Sequence, residues 1–356
     1  MQIDHFQYFP LLKTTDAELK AYANLDATVK DGILPVFELT KSRRTKKDPT
    51  GKISKRVEQL AEFSEGRPFI LDLTTEPTLS NTEIAGLLNA SEDGYREWRD
   101  FVGGIENVIP VIHYNENASE ADNIKQVQEL EKQHSAIAFR ADAYDDEMKD
   151  YFDKIANSMQ NPERLITLLD VGYVPVQSWQ EAVPSIKKRL GEIAGNTKLQ
   201  HFVSLASSFP KTVIATGYGA DDTGQFSLVE IDVFEDAKTV YPNLKYGDYG
   251  SIHPVRYPMG GGGWIPRIDA PLDTSCFYHR QRAAKGKIKE AYVEVAKTVV
   301  ADKRYKTVTS LDAWGDDEIK AAAKGEPNGK SPSHWISVRA NLHITRQFLR
   351  TKAQAV

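Results

Sequence analysis

Apolar residues along the chain gather into eight short runs, spaced at intervals of roughly 30 to 40 residues. They read FQYFPLLK, ILPVFEL, PFILDLT, VIPVIHYN, AIAFRAD, LITLLDVG, HFVSLASS and LKYGDYGSIHP. The first seven are each followed by a stretch with helical spacing. After the first run, Thr15 or Asp16 starts a helix that turns Leu19, Tyr22 and Ala23 inward; after the second, Val57, Leu60, Ala61 and Phe63 share one face. Strands alternating with helices predict a parallel sheet with right-handed crossovers, and eight such units predict closure into a (β/α)8 TIM-type barrel with room for distortion. A dinucleotide-binding reading would need a glycine-rich turn after the first strand, and FPLLKTTDAELK has no glycine.

The rhythm breaks after residue 253. HPVRYPMGGGGWIPRIDAP carries four consecutive glycines, Gly260 to Gly263, and marks a loop or boundary. SCFYHRQR predicts an extra strand, and KIKEAYVEVAKTVVADKRY a helix with Ile288, Tyr292, Val295 and Val299 on one face. Residues 1–253 are therefore read as the barrel, and 254–356 as a C-terminal elaboration packed on it. In the tail WISVRANLHITRQF, Trp335, Val338, Leu342 and Phe348 are placed to pack a helix or strand onto the barrel. If the segment instead folds over the mouth, Asn341 and His343 reach it.

At 356 residues, with 40% hydrophobic and 27% charged residues, the composition is that of a globular protein. No apolar run is long enough to span a bilayer, and the N-terminus lacks the features of a signal peptide, so no membrane partner is expected. Cys276 is the single cysteine. It excludes an internal disulfide, fits a reducing cytoplasm and is expected to be inert packing. A net charge of −5 argues against a protein that simply coats nucleic acid. One local excess stands out, however. Residues 40–56 hold Lys41, Arg43, Arg44, Lys46, Lys47, Lys52, Lys55 and Arg56 against Asp48 alone. This loop follows the second strand and can grip a polyanion, or it is a solvated, mobile loop; it contains no aromatic residue for stacking on bases.

A strand buried on both faces displays chemistry only at its C-terminal end. Lys13, Glu38, Asp72, His113, Arg140, Asp170, Ser208 and Asp248 sit at or beside those ends. In a closed barrel, Glu38, Asp72, Asp170 and Asp248 converge on one mouth. There, paired carboxylates can divide the roles of acid and base, or share a divalent cation such as Mg. The plainer alternative is that each caps a helix or pairs with Lys13 or Arg140. Lys13 and Arg140 are candidates for holding a phosphate or carboxylate. His113, on the same strand face as Asn115, is a candidate general base; His253 lies in a similar position. No H-x-H or H-E-x-x-H pattern supports zinc. In YGDYGSIHP, Tyr246 and Asp248 point to one face and Tyr249 to the other, with Gly247 and Gly250 permitting close approach of a ligand.

The start YFPLLKTTDAELKAYANL, then ILPVFEL, YGDYGSIHP and the tail WISVRANLHI resemble the phage- and prophage-associated "beta protein" family over most of the chain. The resemblance implies a barrel-like fold and an association with phage–host conflict, and no particular reaction. The basic loop and the Gly260–Gly263 run depart from the family pattern.

Two functions follow. The first is a phage-defence-associated hydrolase acting on a phosphate-bearing ligand, a nucleotide or nucleic acid. It would be phosphodiesterase-like or glycosidase-like, with Glu38, Asp72, His113, Asp170 and Asp248 catalytic. Lys13, Arg140, Arg43, Arg44, Lys46, Lys47, Tyr246 and Tyr249 would bind the ligand. The second is a non-enzymatic sensor that binds a phage component or partner through residues 40–56.

Overall fold

The computed structural model describes residues 2–115, 117–193, 195, 198–213, 223–257 and 264–354. The Gly260–Gly263 run lies outside them. Eleven strands are present among these residues: β1 Tyr8–Lys13, β2 Val36–Leu39, β3 Phe69–Leu73, β4 Val108–Pro110, β5 Ile137–Asp142, β6 Leu165–Tyr173, β7 His201–Ser207, β8 Thr223–Ser227, β9 Lys245–Asp248, β10 Arg267–Pro271 and β11 Ser275–Arg280. Eight of them form one parallel sheet in the order β4-β3-β2-β1-β9-β7-β6-β5. A single parallel bridge between Val111 and Ala138, with Ile112 N donating to Ala138 O at 2.7 Å, joins β4 to β5 and closes the ring. The fold is a distorted (β/α)8 barrel.

Alternation along the strands sorts their side chains into two cores. Phe9, Leu11, Val36, Ile70, Ile109, Ala138, Ile166, Leu168, Val203 and Leu205 fill the barrel interior. Tyr8, Leu12, Phe37, Phe69, Leu71, Phe139, Leu169, Phe202 and Tyr246 face the surrounding helices. Gly247 belongs to the interior set: a Cβ there would lie 2.5 Å from Leu205 Cδ2 and 2.8 Å from Phe9 O. The absence of a side chain lets β9 press against β1 and β7.

The helices Asp16–Ala23, Ser54–Ser64, Glu120–Gln133, Met148–Ser158, Ala182–Ile193 and Glu230–Lys238 follow barrel strands as expected. The tail is the helix Pro332–Gln354. It bonds to the first helix through Asn341 Nδ2, which donates to Ala21 O (3.1 Å) and Asn24 O (3.0 Å), and its Ile344 and Phe348 join the outer core. It thus occupies the place of the eighth barrel helix, between β9 and β1. The material between β9 and this helix is an insertion: β10, β11 and the helices Ile288–Ala301, Tyr305–Thr309 and Trp314–Ala323. Its antiparallel sheet, β10-β11-β8, also takes a strand from between β7 and β9. A separate core around Phe277, Tyr292, Val295, Ile319 and Leu342 holds it, with Tyr292 and Trp335 stacked at 5.1 Å. Cys276 on β11 faces the outer barrel core instead, fully buried as a free thiol, and burial pushes its pKa well up.

Two local expectations change. The fourth strand ends at Pro110, well before Asn115, so His113 and Asn115 sit on an irregular segment and not on a strand face. The basic loop is tied in place rather than loose. Asp48 accepts from Ser42 Oγ (3.0 Å), Thr50 Oγ1 (3.2 Å), Gly51 N (2.9 Å) and Lys52 N (3.0 Å). Gly51 turns there with φ +72°, where a Cβ would collide with Ser42 O.

Candidate active site at the barrel mouth

The C-terminal ends of the interior-facing strand positions bring together Lys13, Glu38, Asp72, Arg140 and Asp170. In register, Lys13 is opposite Glu38, and Glu38 opposite Asp72. Arg140 is at the centre. Its Nη1 donates to Glu38 Oε2 and Asp72 Oδ2, each at 2.9 Å; Nε and Nη2 donate to Asp170 Oδ2 at 2.9 and 2.7 Å. Tyr249, on the inward face past the end of β9, donates its hydroxyl to Asp170 and lies 3.1 Å from Arg140 Nη2. The remaining carboxylate oxygens are met locally. Thr74 Oγ1 donates to Glu38 Oε1 (2.7 Å), Leu73 N to Asp72 Oδ1 (2.8 Å) and Gly172 N to Asp170 Oδ1 (2.9 Å). Lys13 Nζ lies 3.6 Å from Glu38 Oε1 and donates to Pro254 O at 2.6 Å.

A fourth acid stands behind Lys13. Glu18 accepts from Lys13 N and from Thr15 Oγ1, and burial pushes its pKa up to about 7. Thr15-x-x-Glu18 has the spacing of a helix capping box, so nothing in the sequence alone points Glu18 toward the mouth.

The electrostatics separate two neighbouring acids. Burial raises the pKa of Asp72, Arg140 opposes the rise, and the charge of Glu38 adds to it, leaving the pKa of Asp72 raised from its ordinary value. Burial acts on Glu38 too, but Arg140, Lys13 and the Thr74 hydroxyl outweigh it and lower the pKa of Glu38. Two acids driven in opposite directions by one environment are suited to divided acid–base roles. Arg140 stays firmly charged: burial disfavours its charge, but Tyr249, Asp170, Glu38 and Asp72 more than compensate.

Beside this cluster opens a cleft of about 790 Å³ over the ends of β3 to β6, lined in part by Asp72, Arg140, Asp170, His113, Tyr114, Asn115 and Tyr151. His113 packs edge-on against Trp98 at 4.7 Å, and burial drives its pKa down to about 3, so the ring is neutral. Among the described residues, its buried Nε2 has no partner. Asn115 Oδ1 accepts from Asn117 N (2.9 Å), and its backbone O accepts from Asn123 Nδ2 on the following helix (3.1 Å).

The basic loop lies on the rim of the same mouth. Arg43, Arg44, Lys46 and Lys47 are exposed. Arg256 N donates to Glu76 Oε2 at 3.0 Å and Lys41 N to Leu79 O at 2.8 Å, which places both beside the segment that follows β3, and burial with the charges of Arg44 and Arg256 lowers the pKa of Lys41. Among the described residues, no ion pair reaches Lys41, Arg44 or Arg256.

Three residues expected at the mouth lie elsewhere. Asp248 and Tyr246 point outward beneath the last helix. Asp248 Oδ2 is 2.7 Å from His343 Nε2 and 2.9 Å from Tyr246 Oη, and Tyr8 Oη donates to Oδ1 at 2.8 Å. The reason is parity: Gly247 must face the crowded interior, so its neighbours face the helices. Ser208, also fully buried, bonds to Glu230. His343 and Asn341 accordingly brace the helix and do not reach the mouth. His253 is stacked on Tyr173 at 4.5 Å. Arg140 is committed to three carboxylates, so its guanidinium is not open to a ligand phosphate. Among the described residues, no group of three or more His, Cys, Asp or Glu is arranged to hold a metal ion. Arg140 fills the centre where a divalent cation would meet these carboxylates.

Residues 8–349 match the family described as Beta protein. This chain belongs to that family. A curated relative, Protein beta of Enterobacteria phage P4, is 30% identical over 351 residues, covering 98% of this chain and 95% of the relative. The Beta protein family is thus phage-associated, as the sequence resemblance implied. Among solved structures, the Bacillus megaterium QM B1551 spore cortex-lytic enzyme SleL aligns with TM-score 0.32 and 11% identity over 96% of this chain and 75% of that one. A likeness of that size carries no argument about activity. Among the described residues, no helix of this family member is long and apolar enough to cross a membrane.

Proposed function

We propose that this Beta protein family member is a hydrolase acting on a phosphate-bearing ligand through the carboxylates of its barrel mouth. One observation carries the reading: Asp72 and Asp170 both line an open cleft while bonded to the same Arg140, and burial with the charge of Glu38 raises the pKa of Asp72. Asp72 donates the proton to the leaving group. Asp170, which also lines the cleft, takes the proton of the attacking water, while Tyr249 and Arg140 fix its orientation. Glu38 keeps the charge of Arg140 matched when Asp72 is neutral. The phosphate rests on Lys41, Arg44 and Arg256, because Arg140 is already engaged. The phage origin of the relative supports placing this activity in phage–host conflict.

A second reading, binding without turnover, is favoured by the completeness of the carboxylate network, in which protein donors satisfy each mouth acid. Product analysis with a panel of nucleotides and oligonucleotides separates the two. The hydrolase reading expects Asp72→Asn and Asp170→Asn to lose at least a hundred-fold in rate while melting as cooperatively as the parent. It expects Arg44→Glu to weaken binding. Binding that survives with no product in any variant would support the second reading and overturn the first.

A further inference from the structure

The cleft and the cationic rim differ in chemistry, and the acids stand where they meet. Thr75 lines the cleft, and the next residue, Glu76, accepts from Arg256 N at 3.0 Å, so the two surfaces are continuous. The rim offers positive charge that, among the described residues, no ion pair engages. The cleft offers rings and uncharged polar groups beside carboxylates: Tyr114 and Tyr151 lie 4.3 Å apart at 33°, His113 and Asn89 also line it, and Asp142 and Asp145 join Asp72 and Asp170. Its one cation, Arg140, is saturated by Glu38, Asp72 and Asp170.

His113 is built to stay where it is. Gln126 brackets its backbone, accepting from His113 N at 2.7 Å and donating to His113 O at 3.0 Å. Trp98 fixes the ring from behind and is itself anchored by Nε1 donating to Val111 O at 3.0 Å. A neutral, immobile imidazole with an orphaned nitrogen is a hydrogen-bonding feature awaiting a partner, able to donate or accept according to its tautomer. A ligand group that satisfies it must carry its own donor or acceptor.

Resting on the hydrolase reading above, we infer that the ligand is a nucleoside phosphate whose heterocyclic base occupies the cleft against His113. Its phosphate then lies on the Lys41–Arg44–Arg256 rim, and the bond presented to Asp72 and Asp170 is the base–sugar bond. Hydrolysis breaks the C1′–N bond, and the base leaves with the bonding pair and takes the Asp72 proton. Water forms the new C1′–O bond, and Asp170 accepts its proton. Atoms balance with water as the sole co-reactant.

Two measurements on the full chain test this. In calorimetric titrations of Asp72→Asn, adenosine 5′-monophosphate and uridine 5′-monophosphate serve as probes against ribose 5-phosphate. At least one nucleotide is expected to bind ten-fold or more tightly than the sugar phosphate. His113→Phe should erase that advantage and leave ribose 5-phosphate affinity unchanged, and His113→Gln, which keeps hydrogen-bonding capacity, should restore part of it. Equal affinities in the parent, or an advantage that survives His113→Phe, overturns the base subsite. In product analysis of the unmodified chain, free base plus ribose phosphate is expected. Nucleoside plus inorganic phosphate, produced with Asp72 and Asp170 dependence, overturns the inference while leaving the hydrolase reading standing. Nucleotide binding through His113 with no product overturns the hydrolase reading and the glycosidic step, and leaves the base subsite.

Discussion

Arg140 holds Asp170 with two nitrogens on a single oxygen, Nε and Nη2 lying 2.9 and 2.7 Å from Oδ2. The same guanidinium reaches across the barrel to Glu38 and Asp72. Replacing it with Met leaves three acids facing one another under little solvent. Breaking one side of such a buried cluster costs about 3–5 kcal/mol. Arg140→Met is expected to lose stability of that order in urea unfolding at pH 7.5. It should recover part of the loss at pH 5, where the freed carboxyls take up protons. An equal loss at both pH values would contradict this electrostatic account.

Asp248 is buried beneath the last helix, away from the mouth. It ties β9 to the last helix through His343, and Tyr8, Tyr246 and Gly250 N complete its shell. Asp248→Asn should lower the melting temperature yet leave the rate per folded molecule unchanged. Loss of turnover at an unaltered melting temperature would return Asp248 to the site.

Glu230 is fully buried against Ser208, and burial pushes its pKa from 4.5 up to about 7. The folded chain therefore binds more proton than the unfolded chain between these two values. Its contribution to stability is whole below pH 4.5 and is lost as pH rises through about 7. Glu230→Gln removes this dependence. Chemical denaturation from pH 4.5 to 8 should show the variant gaining on the parent as pH rises, and parallel curves would exclude the assignment.

Asp48 organises the basic loop through its four hydrogen-bond donors. Asp48→Ala should weaken binding of a nucleotide probe with little effect on melting, because the cations lose their fixed spacing. Arg44→Glu should also flatten the dependence of affinity on salt concentration. Unchanged affinity in both variants removes the loop from the binding surface.

The barrel was legible because a parallel strand buried on both faces leaves an uninterrupted apolar run, and eight such runs leave few topologies. The mouth was legible to the extent that a charged residue ended a run on its inward parity. Glu38, Asp72, Arg140 and Asp170 meet that condition. Asp248 does not, and the deciding residue was its neighbour Gly247, whose small size signals the crowded interior. Tyr249 was correctly separated from Tyr246 by the same alternation. Strand β8 was not legible: TGQFS is mostly polar and, among the described residues, pairs with β11 alone. The last helix read as a tail because the inserted sheet and helices separate it from β9, and chain order alone does not tell an insertion from an appendage. Glu18 was hidden because a capping spacing explains it without reference to the mouth.

The central claim is that Asp72 and Asp170 perform chemistry on a phosphate-bearing ligand. Its most direct test is a single-turnover assay with a nucleotide panel, comparing the parent with Asp72→Asn and Asp170→Asn at matched folded concentration. The account predicts product from the parent and at least a hundred-fold slower formation in each variant, with nucleotide still bound. Product formed at the parental rate by either variant would contradict it.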